Sequence, residues 1–156
     1  MKFSYSIPYD RPAAEVWESL QDTERLIRCI PGCEDVEPAR AGTDGAATEQ
    51  DVEVYRVRMT TGLGPVRLRA TGTARVRRDP AGRSMTAEIS LSDPRAGSVY
   101  GSMGLEVRAA GESHCELALA ADIVLASKIG EFAQPILRHK ADLTVREFAR
   151  NLIGTL

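Results

Sequence analysis

The side chains with chemical reach in this 156-residue sequence are few: three cysteines, two histidines and a short set of polar groups near the C-terminus. Cys29 and Cys33 enclose Ile30-Pro31-Gly32, a C-x3-C spacing that would supply half of a zinc site. His114 and His139 would have to complete it from distant parts of the chain, so no metal is expected and the thiols read as buried or turn-lining groups. An odd cysteine count, behind an N-terminus that runs straight into strand-like Met1-Lys2-Phe3-Ser4-Tyr5, argues for free thiols and against a signal peptide. Neither histidine lies near a nucleophile arrangement, and Gly62-x-Gly64 is followed by Pro65 and a strand rather than the helix a phosphate loop needs. No catalytic residue is expected.

Two polar sets remain. Lys140, Thr144 and Glu147 fall within the apolar stripe of a C-terminal helix rather than opposite it. Lys140 either hydrogen-bonds the carbonyl of a ligand or snorkels to solvent while its stem packs. Arg67, Arg69, Arg75 and Arg77, with Arg78 beside them, alternate along one strand and form a basic outer face. That face is either solvated and neutralised by acids such as Glu53 and Glu88, or a contact for anionic lipid or a partner, at about 1 kcal/mol per basic residue. Leu63, flanked by glycines, would dip into the membrane interface.

The opposite side of the same strand is unusual. Val66, Leu68, Ala70, Gly72, Ala74 and Val76 point inward with a period of two, and the centre is Ala-Gly-Ala where bulky β-branched residues normally sit. Either a helix backbone approaches closely there, or the volume is empty. Ala87, Gly101 and Ala121 put further small residues on the inner faces of other strands, which favours an apolar pocket. Phe3, Tyr5, Met59, Met85, Met103, Phe132 and Ile136 would be its larger wall residues.

These groups need elements to hold them. Phe3, Tyr5 and Ile7 alternate as a first strand; Asp10 is placed to cap a helix carrying Val16, Trp17 and Leu20, and Asp22 to cap a second, ended by Pro31-Gly32. Six strands follow, near Cys33–Arg40, Asp51–Thr60 (with a bulge expected around Val54-Tyr55), Val66–Arg77, and then the runs from Met85, Val99 and Cys115. Ala41–Gln50 and the turns at Gly62–Pro65, Asp79–Gly82, Asp93–Gly97 and Gly111-Glu112 separate them. Ser127 is placed to cap a final helix with Pro135 near its start, about 40 Å long if continuous at 1.5 Å per residue. The fold class is α+β: a seven-stranded antiparallel sheet wrapped around one long C-terminal helix, a single domain over residues 1–156.

A net charge of −2, 27% charged residues and 5% aromatics give no basis for nucleic-acid binding. No apolar run approaches the roughly 18–20 residues needed to cross a bilayer. The expected location is cytoplasmic, with peripheral contact at the inner face of the membrane.

The order β-α-α-β6-α resembles the helix-grip fold of the START/Bet v 1 (SRPBCC) superfamily. Cys29-Ile30-Pro31-Gly32-Cys33, Gly64-Pro65-Val66, Asp93-Pro94-Arg95-Ala96-Gly97-Ser98-Val99 and Gly101-Ser102 are similar to the CoxG family of carbon monoxide dehydrogenase subunits, in order along the whole chain. The resemblance implies association with molybdenum hydroxylases and related redox enzymes at the membrane, and a hydrophobic tunnel suited to a lipid or quinone. Many relatives carry a membrane-associated C-terminal tail; this sequence stops at Leu156, so anchoring by its own tail is not expected.

Together these features point to a non-enzymatic carrier of an isoprenoid quinone or lipid, with no covalent cofactor, serving a redox enzyme such as a carbon monoxide dehydrogenase. Tyr5, Met59, Leu68, Ala70, Gly72, Ala74, Met85, Ala87, Gly101, Met103, Phe132, Ile136 and Lys140 would line the tunnel; Leu63, Arg67, Arg69, Arg75 and Arg77 would meet membrane or partner. The alternatives are a docking module without a ligand, and an aromatase/cyclase-type enzyme, for which Lys140 is the available acid–base group.

Overall fold

A computed structural model of the chain describes residues 1–39, 52–63, 66–127 and 133–154. The elements run β1 (Lys2–Tyr9), α1 (Ala13–Ser19), α2 (Thr23–Arg28), β2 (Cys33–Pro38), β3 (Val52–Leu63), β4 (Val66–Asp79), β5 (Ser84–Asp93), β6 (Gly97–Ala109), β7 (Cys115–Ser127) and α3 (Ala133–Ile153). Among the described residues the seven strands form one antiparallel sheet in the order β1-β7-β6-β5-β4-β3-β2. The expected segment Ala41–Gln50, the dipeptide Gly64-Pro65 and Phe132 lie outside the described residues.

Alternation decides which face each strand buries. The register sets Phe3 against Ala121, Ala121 against Met103, Met103 against Ala87 and Ala87 against Val76, an unbroken inner row across five strands. On β3, Tyr55, Val57 and Met59 face Ala74, Gly72 and Ala70. The packed core gathers Tyr9, Cys115, Leu117, Val107, Met85, Val76 and Tyr55 from the sheet beneath Val16 of α1, Leu20 just past its end, Leu26 and Ile27 of α2, and Phe148 and Leu152 of α3.

Local chemistry departs from the sequence reading at several points. Asp22 caps α2 as expected, its carboxylate accepting the Arg25 N–H at 3.2 Å. Asp10 caps nothing: Pro12 precedes the first turn of α1, its carbonyl accepting from Glu15 and Val16, while Asp10 pairs with His114 at 3.3 Å. Ser127 is the last residue of β7, and α3 is described from Ala133, with Pro135 near the start of that stretch; the residues between, on which the expected cap bears, lie outside the described residues. The β3–β4 register is continuous through Val54-Tyr55; the irregularity lies between Cys33 and Asp35 on β2. No helix among the described residues is long and apolar enough to cross a membrane.

Candidate functional site

The inner face of the sheet carries two populations of apolar side chain. One is the packed core. The other includes Ile7, Met59, Ala87, Ile89, Leu91, Leu105 and Leu119, which touch that core but stay half-buried, with Ala70, Ala121, Ile123 and Leu125 in the same condition. Met103, at the centre of β6, is 36% exposed although its register points it inward. A sheet face closed by a packed helix does not leave such residues accessible.

The third helix explains the difference. Its C-terminal half is pinned by buried Phe148, Ala149 and Leu152, by Asn151 Nδ2 donating to the Cys29 carbonyl at 2.8 Å, and more loosely by the Tyr9 hydroxyl donating to the Ala149 carbonyl at 3.4 Å. The half before it is held by polar ties over β1: Tyr5 donates to Asp142 Oδ1 at 2.7 Å, and the Arg138 guanidinium sits 5.9 Å from the centre of the Phe3 ring. Burial, then the Asp142 carboxylate, push the Tyr5 hydroxyl up to about 12. Ile136 and Leu143 of this half stay exposed.

Beside that half of α3 lies a pocket of about 370 Å³. Pro31 and Gly32 of the α2–β2 turn, Thr60, Thr61 and Gly62 of β3, and Arg67 of β4 form one wall. Lys140, Leu143, Thr144, Glu147 and Arg150 of α3, spaced as one helical stripe, form the other. Gly32 adopts φ +89°, and its carbonyl accepts the Thr60 N–H at 2.8 Å, which fixes the turn against β3. A Cβ at Gly32 would overlap the Thr60 carbonyl oxygen, so the turn requires glycine twice over.

Glycines on the strands have a different reason from the one expected. A Cβ on Gly72 would overlap the Ser90 carbonyl and lie 2.8 Å from Leu91 Cα; one on Gly101 would overlap the Asp122 carbonyl. Both residues are therefore small because the adjacent strand's backbone occupies their side-chain position. Neither of the two expected causes, a close helix or an emptied volume, accounts for them.

A model of the CoxG family of carbon monoxide dehydrogenase subunits matches residues 6–152, nearly the whole described fold. The chain belongs to the CoxG family. Comparison with curated proteins finds no match. Among solved structures, the chain is similar to the ZhuI aromatase/cyclase from Streptomyces sp. R1128, at 21% identity and TM-score 0.74, covering 99% of this chain and 92% of that one. It is also similar to a START superfamily protein from Mycobacterium smegmatis, at 14% identity and TM-score 0.64, covering 98% and 94%. Norcoclaurine synthase from Thalictrum flavum, solved with dopamine and hydroxybenzaldehyde, matches at 13% identity and TM-score 0.63, covering 97% and 83%. At these identities the likeness establishes the fold, and the fold is the helix grip.

Within this family member, Lys140 alone of the expected tunnel residues lines the pocket, joined by Arg67 from the expected basic face. Met59, Ala70, Ala87 and Met103 belong to the accessible inner set, with Tyr5 half-buried at its edge and Ile136 exposed on α3. Leu68, Ala74 and Met85 are buried, the latter two within the packed core. Phe132 and the Leu63 side chain are outside the described residues.

The basic face is also rearranged. Arg78 has inner parity and is half-buried in a polar knot: it donates to the Leu20 carbonyl at 2.7 Å, the Gln21 carbonyl at 2.9 Å, Glu53 Oε2 at 3.2 Å and the Thr23 hydroxyl. Glu53, expected opposite the outer arginines, faces inward to serve it. Arg69 and Arg77 stay exposed, and Arg75 faces Glu88 across the β4–β5 register. Pro31, Gly32, Thr60, Thr61, Leu143 and Arg150 were not expected as site residues. The sequence marked the first two as a helix stop within the Cys29–Cys33 turn and its family motif; the stripe through Lys140, Thr144 and Glu147 was the available signal for the helical wall.

Cys29 and Cys115 are buried in the core and Cys33 is half-buried, and burial pushes all three thiols up from the usual cysteine value. They are poor nucleophiles in that state.

Proposed function

We propose that this protein is a non-enzymatic carrier that takes an apolar, chain-bearing molecule, an isoprenoid quinone or a lipid, into the space between α3 and the inner face of the sheet. One observation supports this above the others: the row through Met103, Ala87 and Ala121 faces inward yet remains accessible, while α3 buries Phe148, Ala149 and Leu152 in its C-terminal half and leaves Ile136 and Leu143 exposed. Burying an alkyl chain there gains about 0.8 kcal/mol per CH2 relative to water. Transfer from a bilayer gains little, because the chain is already out of water, and that near-balance lets cargo be released. Membership of the CoxG family supports a carbon monoxide dehydrogenase or related redox enzyme as partner; in this reading the carrier meets the inner face of the membrane transiently from the cytoplasm.

The test fills the space. Ala87→Phe and Ala121→Phe each add an aromatic ring to the accessible row without touching the glycines that the strands require. Uptake of a short-chain ubiquinone from loaded vesicles should be abolished while far-ultraviolet circular dichroism and Tm stay near those of the parent. Unchanged uptake in both well-folded variants would place the cargo elsewhere.

An enzymatic role has one observation in its favour, Lys140 and Glu147 facing the same pocket on a fold shared with an aromatase/cyclase. It predicts turnover of a polyketide-like chain, lost in Lys140→Met.

A further inference from the structure

The pocket beside α3 has a charge balance that carrying an apolar chain does not explain. Three cationic side chains, Arg67, Lys140 and Arg150, line it against one carboxylate, Glu147. Several arginines elsewhere are paired: Arg56 with Glu37 at 3.5 Å, Arg58 with Glu34 at 3.4 Å, Arg78 with Glu53 at 3.2 Å and Arg28 with Glu24 at 3.0 Å. Among the described residues none of the four charged groups lining the pocket takes part in an ion pair. Glu34 of β2, bonded to the pocket residue Thr60 through its hydroxyl at 2.5 Å, is also engaged by Arg58. Nothing on the opposing strand crowds Arg67, because its register partner is Gly62, where even a Cβ would meet open space.

Uncompensated cations around a concave site of about 370 Å³ make a positive potential that low-dielectric walls concentrate. The pocket also reaches the inner face: Thr61 in its wall shares the inner parity of half-buried Met59, two residues before it, and pairs with buried Leu68. A polar, positively charged recess opening beside an apolar surface fits a molecule with an anionic head and a hydrocarbon tail.

We infer that the recess between Thr60–Gly62, Arg67 and the Lys140–Arg150 stripe is a headgroup subsite for an anionic amphiphile bearing a phosphate or carboxylate. This rests on the proposal that an apolar chain occupies the inner face, and it selects, among such chains, those with a negatively charged end. Lys140 and Arg67 supply charge-assisted hydrogen bonds from the two walls.

The experiment compares dodecyl phosphate, dodecanol and inorganic phosphate by titration calorimetry below the micelle concentration, on the parent chain and on Lys140→Met and Arg150→Gln. The expected result is dodecyl phosphate binding about tenfold more tightly than dodecanol, a ratio that falls toward one in both variants and with rising salt in the parent. The salt dependence keeps the test decisive if a variant fails to fold. Equal, salt-independent affinity for the two alkyl compounds would overturn the headgroup subsite and leave the apolar carrier standing. Binding of inorganic phosphate alone, with neither alkyl compound bound, would overturn both the amphiphile and the carrier. Absence of any binding would overturn both as well.

Discussion

Gly72 and Arg78 share the inner parity of β4, and the fold asks opposite things of them. Gly72 must present no side chain, because the Ser90 carbonyl of β5 fills that position. Replacing it by alanine should cost about 1–3 kcal/mol, as overpacking against an immovable backbone does, whereas Gly62→Ala should stay within about 0.5 kcal/mol. Urea unfolding of the two variants checks this; equal effects would mean that β4 and β5 do not approach as described. The period-two pattern on β4 was readable from sequence, but the reason for its central glycine depends on how strands coil past each other, which no alternation encodes. Arg78 followed Arg77 in a basic run, and only its parity, once the strand was placed, sent it inward to Glu53 and the α1–α2 corner. At the β5–β6 turn Asp93 accepts N–H groups of Arg69 and Arg95, both at 2.7 Å, and of Ala96 at 3.2 Å, and these donors hold its carboxyl below the usual 3.8. A depressed carboxylate stabilises fully above its ordinary value and loses that contribution as pH falls through the lowered one. Asp93→Asn should therefore lower Tm at neutral pH, and the gap to the parent should close as the pH drops below about 4. A gap independent of pH would remove the turn carboxylate from the acid response.

At the scale of elements, α3 is held by unlike means at its two ends. Phe148, Leu152 and the Asn151–Cys29 bond fix the C-terminal half, while Tyr5–Asp142 and Phe3–Arg138 steady the other. Tyr5→Phe removes one tie without removing the ring. In hydrogen exchange it should speed amides around Arg138–Thr144 several-fold and leave Phe148–Leu152 unchanged. Uniform acceleration would show that the helix opens as one unit. The helix itself was legible from its apolar spacing, as were the two short helices and all seven strands. Ser127 suits a cap and a strand end equally, and pairing with Gly97 on β6 makes it the last residue of β7. Asp10 failed as a cap because α1 starts one residue beyond Pro12, whose fixed φ sets the first turn without a side-chain acceptor.

For the molecule as a whole, the sequence pattern carried the architecture further than the site. Inner parity was predictable strand by strand, and so was a concave apolar face. Which inner residues are sealed in the core and which remain accessible depends on what α1, α2 and α3 cover, a tertiary matter. Ala74 and Met85 thus fell on the packed side while Ala87 and Met103 stayed open, though all four share one parity. The central claim is that this open set holds an apolar cargo. Native mass spectrometry of the purified chain after incubation with vesicles containing an isoprenoid quinone and phospholipid, followed by organic extraction, tests it most directly. A single adduct near one-to-one stoichiometry, absent from the Ala87→Phe variant, is the predicted result. A parent chain that keeps its bare mass after every vesicle composition would contradict it.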